Sequence, residues 1–201
     1  MPDTSRKKRD ILEFFLRAGI GPGMTIRSST PQLVRAGTPS AGADEPLRWI
    51  LTTEAPATGF DWERWDFVDE NLLMDGMAHP PQVPLLDAHS RYSVEDILGS
   101  VAEFARTETS GHQAIEANVR FAGDDKAQRT LAKVRDGHLT DGSVGYRVTQ
   151  SLYIPDGQEA AVAGRLYQGP VKISTGWELK EFSMTPIGAD TLAKVRSVLR
   201  Q

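Results

Sequence analysis

The sequence predicts a single mixed α/β domain built on a largely antiparallel sheet or barrel, with about seven strands and three helices. Three observations lead there. Apolar and polar residues alternate over several short runs, as in strands with two different faces. Apolar residues fall at helical spacing in only three segments, 5–18, 124–136 and 190–200. Gly and Pro punctuate the intervals between these runs, and no internal repeat is visible. The pattern divides the chain into an N-terminal helix and arm (1–45), a globular domain (46–190) and a C-terminal helix (191–201).

In the first segment, Ile11, Phe14, Phe15 and Ala18 share a helical face, and Gly19, Gly21, Pro22 and Gly23 end it. Arg6, Lys7, Lys8 and Arg9 form a solvated charge run at its front. Residues 19–45 are rich in Gly, Ser, Thr, Pro and Ala, so a mobile arm is expected, with one strand near 24–27. The globular part begins near Pro46. Residues 47–53 read as a strand and 54–59 as a loop, and 67–73 have strand or short-helix character. Trp62 and Trp65 are three apart, which places them on one face of a helical turn as core anchors under a loop. Residues 74–84 form a loop broken by Gly76, Pro80, Pro81 and Pro84. A short buried strand over 83–89 ends at a polar turn, and 94–97 make a helical turn.

Residues 99–106 and 114–121 both alternate and are expected to pair as a hairpin across a polar loop at 107–113. The segment 124–136 has Asp124 or Asp125 as a cap, a stripe of Ala127, Leu131 and Val134, and Gly137 as a stop. A strand then begins at Asp141-Gly142-Ser143-Val144-Gly145-Tyr146 and runs to 154. Further strands are expected at 160–167, 171–174 and 177–184. Pro186, Ile187 and Gly188 break the last of these, and Leu192, Val195 and Leu199 mark the closing helix.

Composition narrows the function. The 201 residues carry a formal charge of −4, which does not suggest a nucleic-acid binder. No apolar run approaches the roughly 20 residues a membrane helix needs. The absence of cysteine removes disulfides, thiolate metal sites and a cysteine nucleophile. The start is basic and polar, without the apolar segment of a signal peptide, so an intracellular protein is expected.

Ser143 sits between Gly142 and Gly145, which strip side chains from its surroundings and let a second backbone approach. The same pattern also makes an ordinary bulge. A catalytic Ser143 needs a base, and there are four histidines. His112 falls in the expected hairpin loop, His138 ends a helix, and His79 precedes two prolines. His89 closes an apolar strand at a polar turn, where a base is held rigidly yet stays open to substrate. Asp87, Glu178 and Glu181 are candidates to orient it. Glu181 shares strand parity with Trp177 and Leu179, and a carboxylate on that apolar face requires a partner. Asp87, His89 and His79 are the competing metal-ligand set, although no HExxH or HxH spacing is present.

Four stretches occur in order: Leu85-Leu86-Asp87-Ala88-His89, Leu98-Gly99-Ser100-Val101, Asp141-Gly142-Ser143-Val144-Gly145-Tyr146, and Leu179-Lys180-Glu181-Phe182-Ser183-Met184-Thr185-Pro186. Together they resemble the prohead (procapsid maturation) proteases of tailed phages, prophages and gene transfer agents, over about residues 47–190. Each motif is short; their order and spacing carry the likeness. The resemblance implies a serine endopeptidase of herpesvirus-assemblin-like fold, a β-barrel core wrapped by helices; no cofactor is expected, and no metal is expected because no metal-ligand spacing is visible in the sequence. It implies Ser143 as nucleophile, His89 as base and Glu181 as third member. Its substrates would be the scaffold and the N-terminal region of the major capsid protein, cut in the host cytoplasm inside the procapsid. Self-cleavage and a homo-oligomer are further expectations, and no nucleic-acid or membrane partner is implied. One departure is Pro186-Ile187-Gly188 where the family often has Pro-Ala-Asn. The rival readings are a catalytically inactive protease-like capsid assembly factor and a metal-dependent hydrolase.

Overall fold

The computed structural model describes residues 25–28, 46–61, 63–188, 190 and 193. The helix expected over 5–18, that expected over 190–200 apart from Asp190 and Ala193, the mobility expected of the arm, and Trp62 lie outside the described residues. Of the arm, only strand β1 (Thr25–Ser28) is described.

The strands that follow are β2 (Leu47–Thr53), β3 (Ala57–Asp61), β4 (Asp66–Leu72), β5 (Met77–Ala78) and β6 (Gln82–Asp87). Next come β7 (Ile97–Thr109), β8 (His112–Phe121), helix α1 (Asp125–Arg135) and β9 (Gly142–Ile154). The short strands β10 (Glu159–Val162) and β11 (Arg165–Gln168) precede β12 (Val171–Met184). The domain is therefore mostly strand, with one α-helix among the described residues. This corrects the expected count of about seven strands: Gly- and Pro-rich intervals hold additional short strands.

Ten strands form one mixed sheet in the order β2-β8-β7-β6-β12-β4-β3-β1-β9, with β5 beside β12 and with β9 also pairing β12. β12 is the organising strand. Along one edge it runs antiparallel to β9, from Val171 opposite Ile154 to Met184 opposite Gly142. Along the other it pairs in parallel with β4, β5 and β6 in turn. The segments 171–174 and 177–184 are thus one strand, with register shifts around Gly176.

The hairpin is longer than its alternation suggests. β7 and β8 pair up to Thr109 opposite His112, so only Ser110 and Gly111 turn. Both have positive φ, as a tight two-residue connection requires. His112 is therefore a half-buried strand residue, not a loop residue. The run 160–167 is not one strand but the hairpin β10–β11, turned at Ala163 and Gly164, both with positive φ. Trp65, at φ 55°, is on a turn without helical geometry and meets Phe60 edge-on.

The main core gathers Trp49, Leu85, Leu98, Val101, Val119, Tyr146, Trp177, Leu179 and Phe182. Helix α1 covers one part of it with Ala127, Leu131 and Val134, and the Asp124 carboxylate caps it by accepting from the amides of Lys126 and Ala127. Gly99, at φ 155°, lies where a Cβ would come within 2.0 Å of the Arg120 carbonyl oxygen, so this position of β7 admits only glycine. No helix among the described residues is long and apolar enough to cross a membrane.

Candidate active site

The site is built on the pairing of β12 with β9. Trp177, Leu179, Phe182 and Met184 pair with Val148, Tyr146, Val144 and Gly142, and this set faces the core. The step from Leu179 to Phe182 is three residues, because a register shift lies between Leu179 and Glu181. Such a bulge inverts the side-chain alternation beyond it. Glu181 therefore pairs with Gly145, off the core face, and Ser183 pairs with Ser143. This corrects the parity argument made from sequence, which put Glu181 on the face of Trp177 and Leu179. Gly142 allows the close approach: a Cβ there would lie 2.1 Å from Cζ of Phe182.

His89 is presented by a strained turn directly after β6. The Ser90 amide donates to the Asp87 carbonyl at 2.9 Å, and the two central residues, Ala88 and His89, have φ of 46° and 61°. A non-glycine residue in this left-handed region costs about 1–2 kcal/mol. The neighbouring strand holds the turn in place. The Ala88 amide donates to the Met184 carbonyl at 3.0 Å, and the His89 amide donates to Ser183 Oγ at 3.1 Å. From the other side, the Ser90 hydroxyl donates to Asp96 at 2.6 Å. Lys126 of α1 meets Asp87 at 2.9 Å and Asp96 at 3.6 Å. The Ser90 hydrogen bond holds the Asp96 carboxyl below its ordinary range, and the bond to Asp87 raises Lys126 above its own.

His89 Nδ1 and Glu181 Oε1 are 2.7 Å apart. The other carboxylate oxygen of Glu181 accepts from the Ser183 hydroxyl at 2.6 Å. His89 and Glu181 are both buried, at 6% and 2% exposure. A carboxylate only accepts, so the neutral imidazole carries its proton on Nδ1 and leaves Nε2 as an acceptor. Nε2 is buried and has no hydrogen-bond partner among the described residues; the same is true of Ser143 Oγ. Ser143 is itself only 3% exposed. Ser143 and His89 thus flank the same residue, Ser183, through the strand register on one side and a hydrogen bond on the other. No hydrogen bond joins the two.

The side chains of the other candidates make no hydrogen bond to this cluster. Asp87 is engaged by Lys126. Glu178 is paired with Lys180 at 2.5 Å and Arg147 at 2.8 Å; the Lys180 hydrogen bond leads in depressing its pKa. His79 is exposed and rests on Phe104, with ring centroids 4.4 Å apart. His138 is exposed after α1, its amide donating to the Lys133 carbonyl. Among the described residues, no three His, Cys, Asp or Glu side chains are grouped as a metal ion requires.

Ser183 has no role in the sequence reading, although it stands two residues after Glu181 in the same motif. Its hydroxyl connects the carboxylate to the backbone of the histidine turn. A cleft of about 390 Å³ opens beside Glu181, with Leu86, Tyr92, Val94 and Ile97 in its wall. Comparison of the chain with protein-family models, with curated proteins and with solved structures finds no match.

Proposed function

We propose that the protein is a serine endopeptidase acting through Ser143, His89 and Glu181. One observation carries the reading: a buried carboxylate fixes Nδ1 of a buried histidine, and the remaining ring nitrogen and the Ser143 hydroxyl, linked through Ser183, are both buried and have no hydrogen-bond partner among the described residues. A buried polar atom without a partner costs about 1–3 kcal/mol, so two of them on adjoining segments call for a functional explanation. In the proposed reaction Ser143 Oγ attacks the peptide carbonyl while its proton passes to His89 Nε2. The imidazolium that forms is stabilised by Glu181. His89 then returns the proton to the leaving amine, and the acyl group stays on Ser143. Water next gives a proton to His89 and attacks the ester, releasing the acid and restoring the serine. The missing Ser143–His89 hydrogen bond fits a resting site whose bonds tighten when substrate binds.

The biological setting is carried by the resemblance of the four motifs alone. On that reading the substrates are the scaffold and the N-terminal region of the major capsid protein, cut inside the procapsid. The test is coexpression with the cognate capsid and scaffold proteins. Processing that depends on Ser143 is expected. Unchanged processing by Ser143→Ala would sink the proposal, and processing abolished by chelators and restored by zinc would favour a metal-dependent hydrolase.

A further inference from the structure

We infer that the cleft between α1 and the end of β12 is a substrate subsite that selects an acidic side chain, Asp or Glu, close to the scissile bond. The inference rests on the endopeptidase reading and adds what that site selects.

The cleft has a volume of about 460 Å³, and its lining includes Asp87, Lys126, Arg129, Lys133, His138 and Thr185. It adjoins the site at two points. Asp87 opens the turn that carries His89, and Thr185 lies two residues beyond Ser183 on the chain that leaves β12. Three of its side chains are permanent cations and one is an anion. That anion, Asp87, is matched by Lys126 at 2.9 Å. Arg129 and Lys133 are exposed on the same helix, four residues apart, and so share one face. No ion pair joins either of them to another described residue. The cleft therefore carries uncompensated positive charge toward any chain lying across the site.

A second feature points to a ligand independently. Thr185 is only 7% exposed, and its hydroxyl has no hydrogen-bond partner among the described residues. Buried donors of this kind are rare unless something else completes them. A carboxylate accepts from a hydroxyl and from guanidinium and ammonium groups alike, so one acidic side chain satisfies all three. An amide side chain of the same shape brings no charge, and a basic one is repelled.

The experiment is positional profiling. A synthetic random-peptide mixture is incubated with the full-length protein, and the cut sites are read by mass spectrometry. In parallel, Ser143 labelling by a fluorophosphonate is measured. Wild type is expected to enrich Asp and Glu over Asn and Gln by about fivefold, the upper range for an exposed ion pair, at one position within about three residues of the cut. Arg129→Glu with Lys133→Glu should abolish that enrichment and favour Lys or Arg at the same position. Arg129→Gln with Lys133→Gln should flatten it, which gives a second, milder variant should charge reversal impair folding. Thr185→Val should reduce it. Ser143-dependent cutting with no acidic preference, or with a preference unchanged in both double variants, overturns the subsite alone. Neither cutting nor labelling of wild type overturns the peptidase reading and the subsite with it.

Discussion

Glu181→Gln isolates the charge behind His89, because it keeps size and shape. The carboxylate oxygen lies 2.7 Å from Nδ1. At an effective dielectric of about 20, a unit charge pair at that distance interacts by about 6 kcal/mol. The glutamine oxygen still offers a dipole to Nδ1–H, so only part of this is lost. Two features keep the loss large. Glu181 is 2% exposed, so water does not replace the charge, and the alternative carboxylate that the sequence offers, Asp87, is held by Lys126. The glutamine amide also needs an acceptor. If its NH₂ turns to Nδ1, the imidazole is driven to the tautomer with a proton on Nε2, which cannot act as a base. We expect the rate of Ser143 labelling by a fluorophosphonate to fall by about three to four orders of magnitude, as when a triad loses its charged member. Labelling followed by intact-protein mass spectrometry requires no knowledge of the substrate. Asp87→Asn should stay within about twofold of wild type. A Glu181→Gln protein that labels at the wild-type rate would refute the role of the buried charge. So would a dead Asp87→Asn protein beside an active Glu181→Gln one.

Further outcomes follow from the same geometry. His89→Ala should lose nearly as much labelling as Ser143→Ala, while His112→Ala should be silent, since members of a cooperating pair fail together; an active His89→Ala protein would show that another base serves Ser143. Gly142→Ala would place a methyl 2.1 Å from the Phe182 ring, whose side chain is fully buried against Trp49. It should cost about 1–3 kcal/mol in denaturant unfolding and slow labelling as well. At Asp61, burial pushes the carboxyl up, but the amides of Arg64 and Glu63 with Lys172 and the Arg64 side chain outweigh it, leaving the pKa below 3.8. A lowered folded pKa stabilises above the unfolded value, and that contribution disappears as pH falls through the folded one. Asp61→Asn should therefore unfold more easily at neutral pH, by about 1–3 kcal/mol, and show a flatter acid limb below about pH 4.

Much of this domain is legible because local chemistry and tertiary structure agree. Helix α1 starts after the expected Asp124 cap and buries the expected stripe of Ala127, Leu131 and Val134. β9 occupies the run that begins at the serine between two glycines. The β10–β11 hairpin is less visible, because Ala163 takes a positive φ that alanine rarely adopts. The parallel neighbours of β12 are invisible locally: β4, β5 and β6 follow one another within residues 66–87, far from β12 in sequence, and meet it in turn along one edge.

Glu181 shows where strand alternation stops being a guide. Counting by twos from Trp177 puts it among the apolar residues, where its charge would be costly. The partner strand counts differently. From Leu179 to Glu181 β12 advances two residues, while β9 advances one, from Tyr146 to Gly145. A single sequence carries no mark of that unequal step, since the extra residue, Lys180, meets no special backbone demand and its side chain is exposed. Yet the step decides the chemistry. It returns Phe182 to the core beside Trp49 and gives the carboxylate to His89 and Ser183. A strand without the bulge would keep either an apolar contact or a partnered carboxylate at these neighbouring positions, and the site requires both.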